Sequence, residues 1–152
     1  MNQRDAIRMS EEELETFLAG QRVVSCATIG RDGWPHVMPL WYLPRDGSLW
    51  VWTYAASQKV RNLERDPRAT LVVEAGERYE ELRGVMIKAR AVIERDPDLV
   101  SALALALYAR YYDEVPHEVR QTVARQAPKR VGVRFDEHSR ASWDHRKLAA
   151  AT

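Results

Sequence analysis

The stretch Ser48-Leu49-Trp50-Val51-Trp52-Thr53-Tyr54-Ala55-Ala56-Ser57-Gln58-Lys59-Val60-Arg61-Asn62-Leu63 changes its period halfway along. Up to Tyr54 the side chains alternate: Trp50, Trp52 and Tyr54 share one face and Leu49, Val51 and Thr53 the other, which predicts a strand with one aromatic face. From Ser57 the pattern is helical. Ser57 stands where a cap is needed, Val60 and Leu63 face inward, and Pro67 ends the element, which predicts a short helix over 58–66. Helix amides, a hydroxyl and the Lys59 ammonium therefore converge just after an aromatic strand, an arrangement suited to holding a phosphate beside a flat surface. An ordinary serine cap followed by a solvated lysine is the competing reading of Ser57-Gln58-Lys59.

Working back toward the N-terminus, Pro44-Arg45-Asp46-Gly47 and Arg31-Asp32-Gly33 are turns. Between them a second strand over 34–43 contains Pro35 and Pro39, each lacking a ladder donor, which places it at an edge or beside a bulge. Val23-Val24-Ser25-Cys26-Ala27-Thr28-Ile29 is short, β-branched and apolar on both faces, as a central strand should be. The three strands read as a meander of hairpins. Cys26 inside the first is read as a small core residue rather than a reactive thiol. Ser10 and Glu13 form a capping box opening a helix with Leu14, Phe17 and Leu18 on one stripe, and Gly20 stops it.

Toward the C-terminus come strands over 68–74 and 82–94, the second alternating apolar and wet side chains. Asp96-Pro97-Asp98 caps a helix running to about Tyr112, with Leu99, Leu103, Leu107 and Tyr111 on one stripe, and another helix spans 115–126. Val131, Val133 and Phe135 mark a last strand over 129–136, before the tail Ser142-Trp143-Asp144-His145-Arg146-Lys147-Leu148. Six short strands in mostly sequential order favour a closed or nearly closed antiparallel barrel over a sandwich. No repeat or linker interrupts the chain, so a single domain over 1–152 is expected.

Composition narrows the function. The 152 residues carry 23 Lys+Arg against 22 Asp+Glu, a formal charge of +1 with the signs interleaved, which argues against general nucleic-acid binding. The longest uncharged apolar run, 99–109, is about half of the ~20 residues a membrane span needs, and the first residues lack a signal-peptide apolar region. With a single cysteine, a cytoplasmic protein without a membrane span is expected. His36, His117, His138 and His145 show no metal-ligand spacing, and no nucleophile elbow or glycine-rich phosphate loop is present. Glu77, Glu80 and Glu81 read as a solvated charged turn. Five Trp and six Tyr against two Phe leave an amphipathic aromatic surface to explain, either a core or interface or a platform for a flat ligand.

Four segments in register carry a resemblance: Asp32-Gly33-Trp34-Pro35-His36-Val37-Met38-Pro39-Leu40-Trp41-Tyr42; Ser57-x-Lys59-Val60-Arg61-Asn62-Leu63 with Asp66-Pro67-Arg68; Tyr79-x-x-Leu82-Arg83-Gly84-Val85; and Ser142-Trp143-Asp144-x-x-Lys147-Leu148. From Ser10 to Leu148 the chain resembles the pyridoxamine 5′-phosphate oxidase-like split barrels, and among them the flavin/deazaflavin oxidoreductases of the B group. The resemblance implies a mainly β split barrel with flanking helices, a homodimer with two cofactor sites at the subunit interface. It implies that Ser57, Lys59 and Asn62 hold the cofactor phosphate, that Met38 and Pro39 lie along the ring with Trp52 and Thr53, and that Trp143 and Lys147 come from the partner chain.

The departures bear on the cofactor. True pyridoxamine phosphate oxidases carry Arg and Lys on the second strand for the FMN phosphate, whereas 34–42 here has neither. Their Ser-Arg-Lys is Ser57-Gln58-Lys59, and their C-terminal Arg/His arrangement for pyridoxal phosphate is missing, so vitamin B6 oxidation is disfavoured. The helix and the Trp143-Asp144-His145 tail are similar to those of relatives using the deazaflavin F420, whose phosphate and oligoglutamate tail need cations such as Arg61, Arg65 and Arg83. The expected activity is hydride transfer from reduced F420 to a conjugated small-molecule substrate of quinone, tetrapyrrole or enone type. An FMN oxidoreductase of the same fold is the second reading, and a non-catalytic module holding cofactor, haem or lipid the third.

Overall fold

A computed structural model describes residues 2–150, with side chains to 148. In chain order the elements are α1 (Gln3–Ala6), α2 (Glu11–Gly20), β1 (Val23–Ile29), β2 (Pro35–Trp41), β3 (Leu43–Arg45), β4 (Ser48–Tyr54), α3 (Gln58–Arg65), β5 (Arg68–Ala75), β6 (Arg83–Glu94), α4 (Pro97–Tyr111), α5 (His117–Gln126), β7 (Arg130–Asp144) and α6 (Arg146–Ala150). Seven antiparallel strands form one sheet in the order β2-β1-β5-β6-β7-β4-β3, curled into a split barrel with helices around it. The mainly β, split-barrel class is the one expected.

The expected meander fails at one residue. The strand read over 34–43 breaks at Tyr42: β2 pairs with β1 alone, and β3 pairs with β4. Tyr42 is fully buried, its phenol donates to the Leu18 carbonyl at 2.6 Å, and its amide donates to the Tyr111 hydroxyl at 3.2 Å instead of to a neighbouring strand. Those partners turn the chain out of the ladder, so β2 and β3 become opposite ends of the sheet. The sequential order is corrected as well, because β5 returns beside β1 and β7 inserts between β6 and β4. β7 also runs to Asp144, well beyond 136, and His138 is the extra residue where its register with β6 shifts.

Most local readings hold. Ser10 Oγ accepts from the Glu13 amide at 3.1 Å while Glu13 Oε1 accepts from the Ser10 amide at 2.9 Å, closing the capping box. Val24, Cys26, Val51, Leu71, Val85 and Val133 fill the barrel with side chains at most 1 % exposed, and α2 and α3 contribute Phe17, Val60 and Leu63 to the same core. Each such side chain contributes about 1.5–3 kcal/mol by leaving water. The aromatic face of β4 points outward, where Trp50 packs with Leu103 and Leu107 of α4. Gly132 of β7 lets that helix approach, since a Cβ there would lie 2.9 Å from Leu103 Cδ2. No helix among the described residues is long and apolar enough to cross a membrane.

Candidate cofactor site at the split

The split leaves two strand edges without a full partner. β2 ends the sheet and pairs only with β1, while β3 covers β4 only over 48–50, so residues 51–54 lack a strand partner on that side. Backbone groups along such edges are free to meet a ligand. Met38 and Pro39, opposite Cys26 and Ser25 in the β1 ladder, form the exposed β2 rim. Trp52 and Thr53 form the β4 rim, Thr53 buried inward and Trp52 half-buried outward.

At the end of β4 the chain turns at once into α3. Ser57 donates its amide to the Tyr54 carbonyl at 3.1 Å, and its hydroxyl accepts from the Val60 amide at 3.4 Å, so the cap is formed as expected. No acid stands in the first helical turn. Lys59 is half-buried, and desolvation above all pushes its ammonium below the usual lysine range, with the Arg130 charge acting in the same direction. Burial lifts the Cys26 thiol to about 11, the nearby Lys59 pulling it back only in part, so Cys26 stays a protonated core residue near neutrality.

Asn62 is fully buried and turns its amide toward the protein. Its Nδ2 donates to Thr28 Oγ1 at 3.0 Å and its Oδ1 accepts from Gln58 Nε2 at 2.8 Å, which ties α3 to β1. Arg61 is exposed and lines, with Arg31, Trp34 and Arg65, a cavity of about 860 Å³ between α3 and the β1–β2 turn. Arg65 also donates to the Ile29 carbonyl.

Three residues read from the sequence stand apart from this group. Arg83 and Trp143 lie opposite Asp144 and Gly84, at the end of β7 remote from Arg130. The Trp143 indole rests on Gly84, where a Cβ would come within 2.6 Å of Trp143 Cζ2. The Arg83 guanidinium lies over the Phe17 ring at 5.1 Å. Lys147 Nζ donates to Glu13 Oε1 at 2.7 Å and to the Arg8 carbonyl at 2.9 Å, fastening the C-terminus to α2. Within one chain, Met38 and Pro39 lie on the β2 edge, Trp52 and Thr53 on β4 just ahead of Ser57 and Lys59, and Arg61 and Asn62 follow on α3, whereas Arg83, Trp143 and Lys147 lie at the other end of β7.

The sequence reading missed Arg130. It faces Tyr54 across the β4–β7 ladder, and its guanidinium lies 3.5 Å from the Tyr54 ring centroid and 4.3 Å from that of Trp52. Only the pairing of two distant strands reveals it, since Lys129-Arg130 reads locally as an ordinary strand start.

Residues 10–138 match the family described as pyridoxamine 5′-phosphate oxidase. A solved structure of a conserved hypothetical protein from Mycobacterium tuberculosis is 40% identical, with a TM-score of 0.89, covering 98% of this chain and 93% of that one. An F420 reductase shares the fold at 22% identity and a TM-score of 0.66, covering 84% of this chain and 94% of its own. An FAD-binding protein from Mesorhizobium loti does so at 22% identity and a TM-score of 0.67, covering 88% and 94%. No curated protein matches the chain.

Proposed function

This chain belongs to the pyridoxamine 5′-phosphate oxidase family, and from that premise we propose that it is an F420-dependent oxidoreductase of the flavin/deazaflavin B group. Its 152 residues form one cofactor-binding domain, which passes a hydride from the reduced deazaflavin to a conjugated small molecule. The observation that carries this reading is Lys59: a half-buried cation with no acid in its helical turn, at the start of the helix that directly follows the partly unpaired β4 edge. A phosphorylated, planar cofactor supplies both what the cation and what the edges need.

When bound, F420 supplies the hydride-carrying ring. The chain's part is to bind and orient it. Lys59 and the Ser57 end of α3 hold the phosphate, Met38 and Pro39 line the ring on one rim, and Trp52 and Thr53 line it on the other. Asn62 serves this arrangement through Thr28, fixing α3 against β1 so that Lys59 keeps its place. Arg61 and Arg65 border the adjacent cavity, where an anionic tail finds its cations. Lack of Arg and Lys over 34–42 favours F420 over FMN and argues against vitamin B6 oxidation.

A homodimer completes the site. Trp34, Val37, Met38 and Trp41 are 72 %, 57 %, 45 % and 42 % exposed on or beside β2, an apolar surface that a second copy covers. That copy's Trp143 then approaches the ring, its Lys147 does so by giving up Glu13, and Arg83 is a further cation for the phosphate or the anionic tail. The test of the activity is anaerobic: purified protein is mixed with menadione and either reduced F420 or reduced FMN, and reoxidation of the cofactor is followed. Turnover with F420 is expected; turnover with FMN alone overturns the choice of cofactor, and no turnover despite binding favours a carrier. A stable monomer in light scattering removes the shared site.

A further inference from the structure

Two of the three buried side-chain polar atoms that lack a hydrogen-bond partner among the described residues are Trp52 Nε1 and Arg130 Nε. They belong to side chains stacked on one another, with the Arg130 guanidinium 4.3 Å from the Trp52 ring centroid. Both are donors, so what the spot lacks is an acceptor. Tyr54 holds the guanidinium from its own ring at 3.5 Å, and Gln126 Oε1 accepts from Nη2 at 3.2 Å, which fixes the plane of the fork and leaves Nε without a partner among the described residues. The nine ion pairs among the described residues include neither Arg130 nor Lys59.

The backbone brings these cations to the same corner. Tyr54 pairs with Arg130, the Ala55 amide donates to the Lys129 carbonyl at 2.9 Å, and the chain then turns through Ser57 into the first turn of α3, which carries Lys59. The Arg130 charge disfavours the Lys59 ammonium, and both side chains are partly withdrawn from water. Such a pair without an acid is stabilised by a bound anion. The other cations near the split serve less well: Arg65 is engaged with the Ile29 carbonyl, Arg61 is exposed on the neighbouring cavity, and Arg83 is at the far end of the sheet.

We propose that Arg130 is the second cation of the anion site that Lys59 opens, so that a phosphoryl group is held between the Lys59 ammonium and a guanidinium fork positioned by Trp52 and Tyr54. This rests on the cofactor reading for the identity of the phosphate carrier, not for the existence of the site. The fork offers paired donors in one plane, which an ammonium does not, so Arg130 fixes the orientation of the phosphate as well as its charge.

The experiment compares wild type, Arg130→Gln and Arg130→Lys as full chains. Binding of FMN against riboflavin, and of F420 against its phosphate-free chromophore, is read by fluorescence, and binding of inorganic phosphate by ³¹P NMR. Arg130→Gln is expected to weaken the phosphorylated ligands and inorganic phosphate on the order of tenfold while leaving the phosphate-free chromophores almost unchanged. Arg130→Lys, which keeps charge and volume and so guards against misfolding, is expected to fall between the two. Equal losses for phosphorylated and phosphate-free ligands, or no loss in either variant, overturn the proposal. If no flavin or deazaflavin binds the wild type but inorganic phosphate binds in an Arg130-dependent way, the cofactor reading fails and the anion site stands. Failure of inorganic phosphate and all four ligands to bind overturns both.

Discussion

The Tyr111 hydroxyl sits 3.2 Å from the Tyr42 amide nitrogen and 3.1 Å from the Tyr42 carbonyl oxygen, so one side chain of α4 serves both backbone groups at the residue where the sheet splits. Its single proton is shared between the Tyr42 and Arg22 carbonyls. Tyr42 is fully buried, and its polar backbone has no strand partner to return to. Tyr111→Phe is therefore expected to destabilise the fold by about 1–3 kcal/mol, the cost of leaving a buried amide unsatisfied. Urea denaturation checks this, and an unchanged midpoint would mean that water replaces the hydroxyl.

Gly84→Ala tests the seat of Trp143. The added methyl would meet the indole at 2.6 Å and the Val73 carbonyl oxygen at 2.7 Å, one of them backbone that has little room to move. A loss of about 1–3 kcal/mol is expected from overpacking, together with a red shift of the Trp143 emission as the ring is displaced. Full stability with an unaltered spectrum would show that the strands separate freely there.

Cys26 gives a pH-dependent prediction. Its thiol is raised from 9.0 to about 11 by burial, so below pH 9 it is protonated in both folded and unfolded chains and its contribution is fully present. Between 9 and about 11 only the unfolded chain releases the proton, and stability falls as pH rises through that window. Cys26→Ala is expected to flatten this part of the stability curve relative to the parent. The native thiol should also react slowly with a disulfide reagent at neutral pH, and fast native labelling would contradict its burial.

Local elements were legible because local chemistry forms them. Ser10 and Glu13 close a capping box that four consecutive residues specify, and the alternation from Leu49 to Tyr54 sorts core from outer face without knowledge of any neighbour. The grouping of Met38, Trp52 and Lys59 in one cofactor site came from a resemblance, not from any local pattern of residues. What escaped was non-local. Nothing near Tyr42 announces that a tyrosine in a helix 69 residues later takes over its backbone groups. The polar end of β7 from Glu137 to Arg140 lacks an apolar rhythm and is held as strand by its ladder with β6. Arg130 became visible only through its register with Tyr54.

The most direct measurement is an equilibrium fluorescence titration of the wild type and Lys59→Ala with F420 and with FMN. The wild type is expected to bind F420 saturably, one per chain, and more tightly than FMN. Lys59→Ala should weaken F420 by ~2 kcal/mol, roughly thirtyfold, the order of one charge-assisted hydrogen bond. FMN binding without F420 binding, or an F420 affinity indifferent to Lys59, would contradict the account.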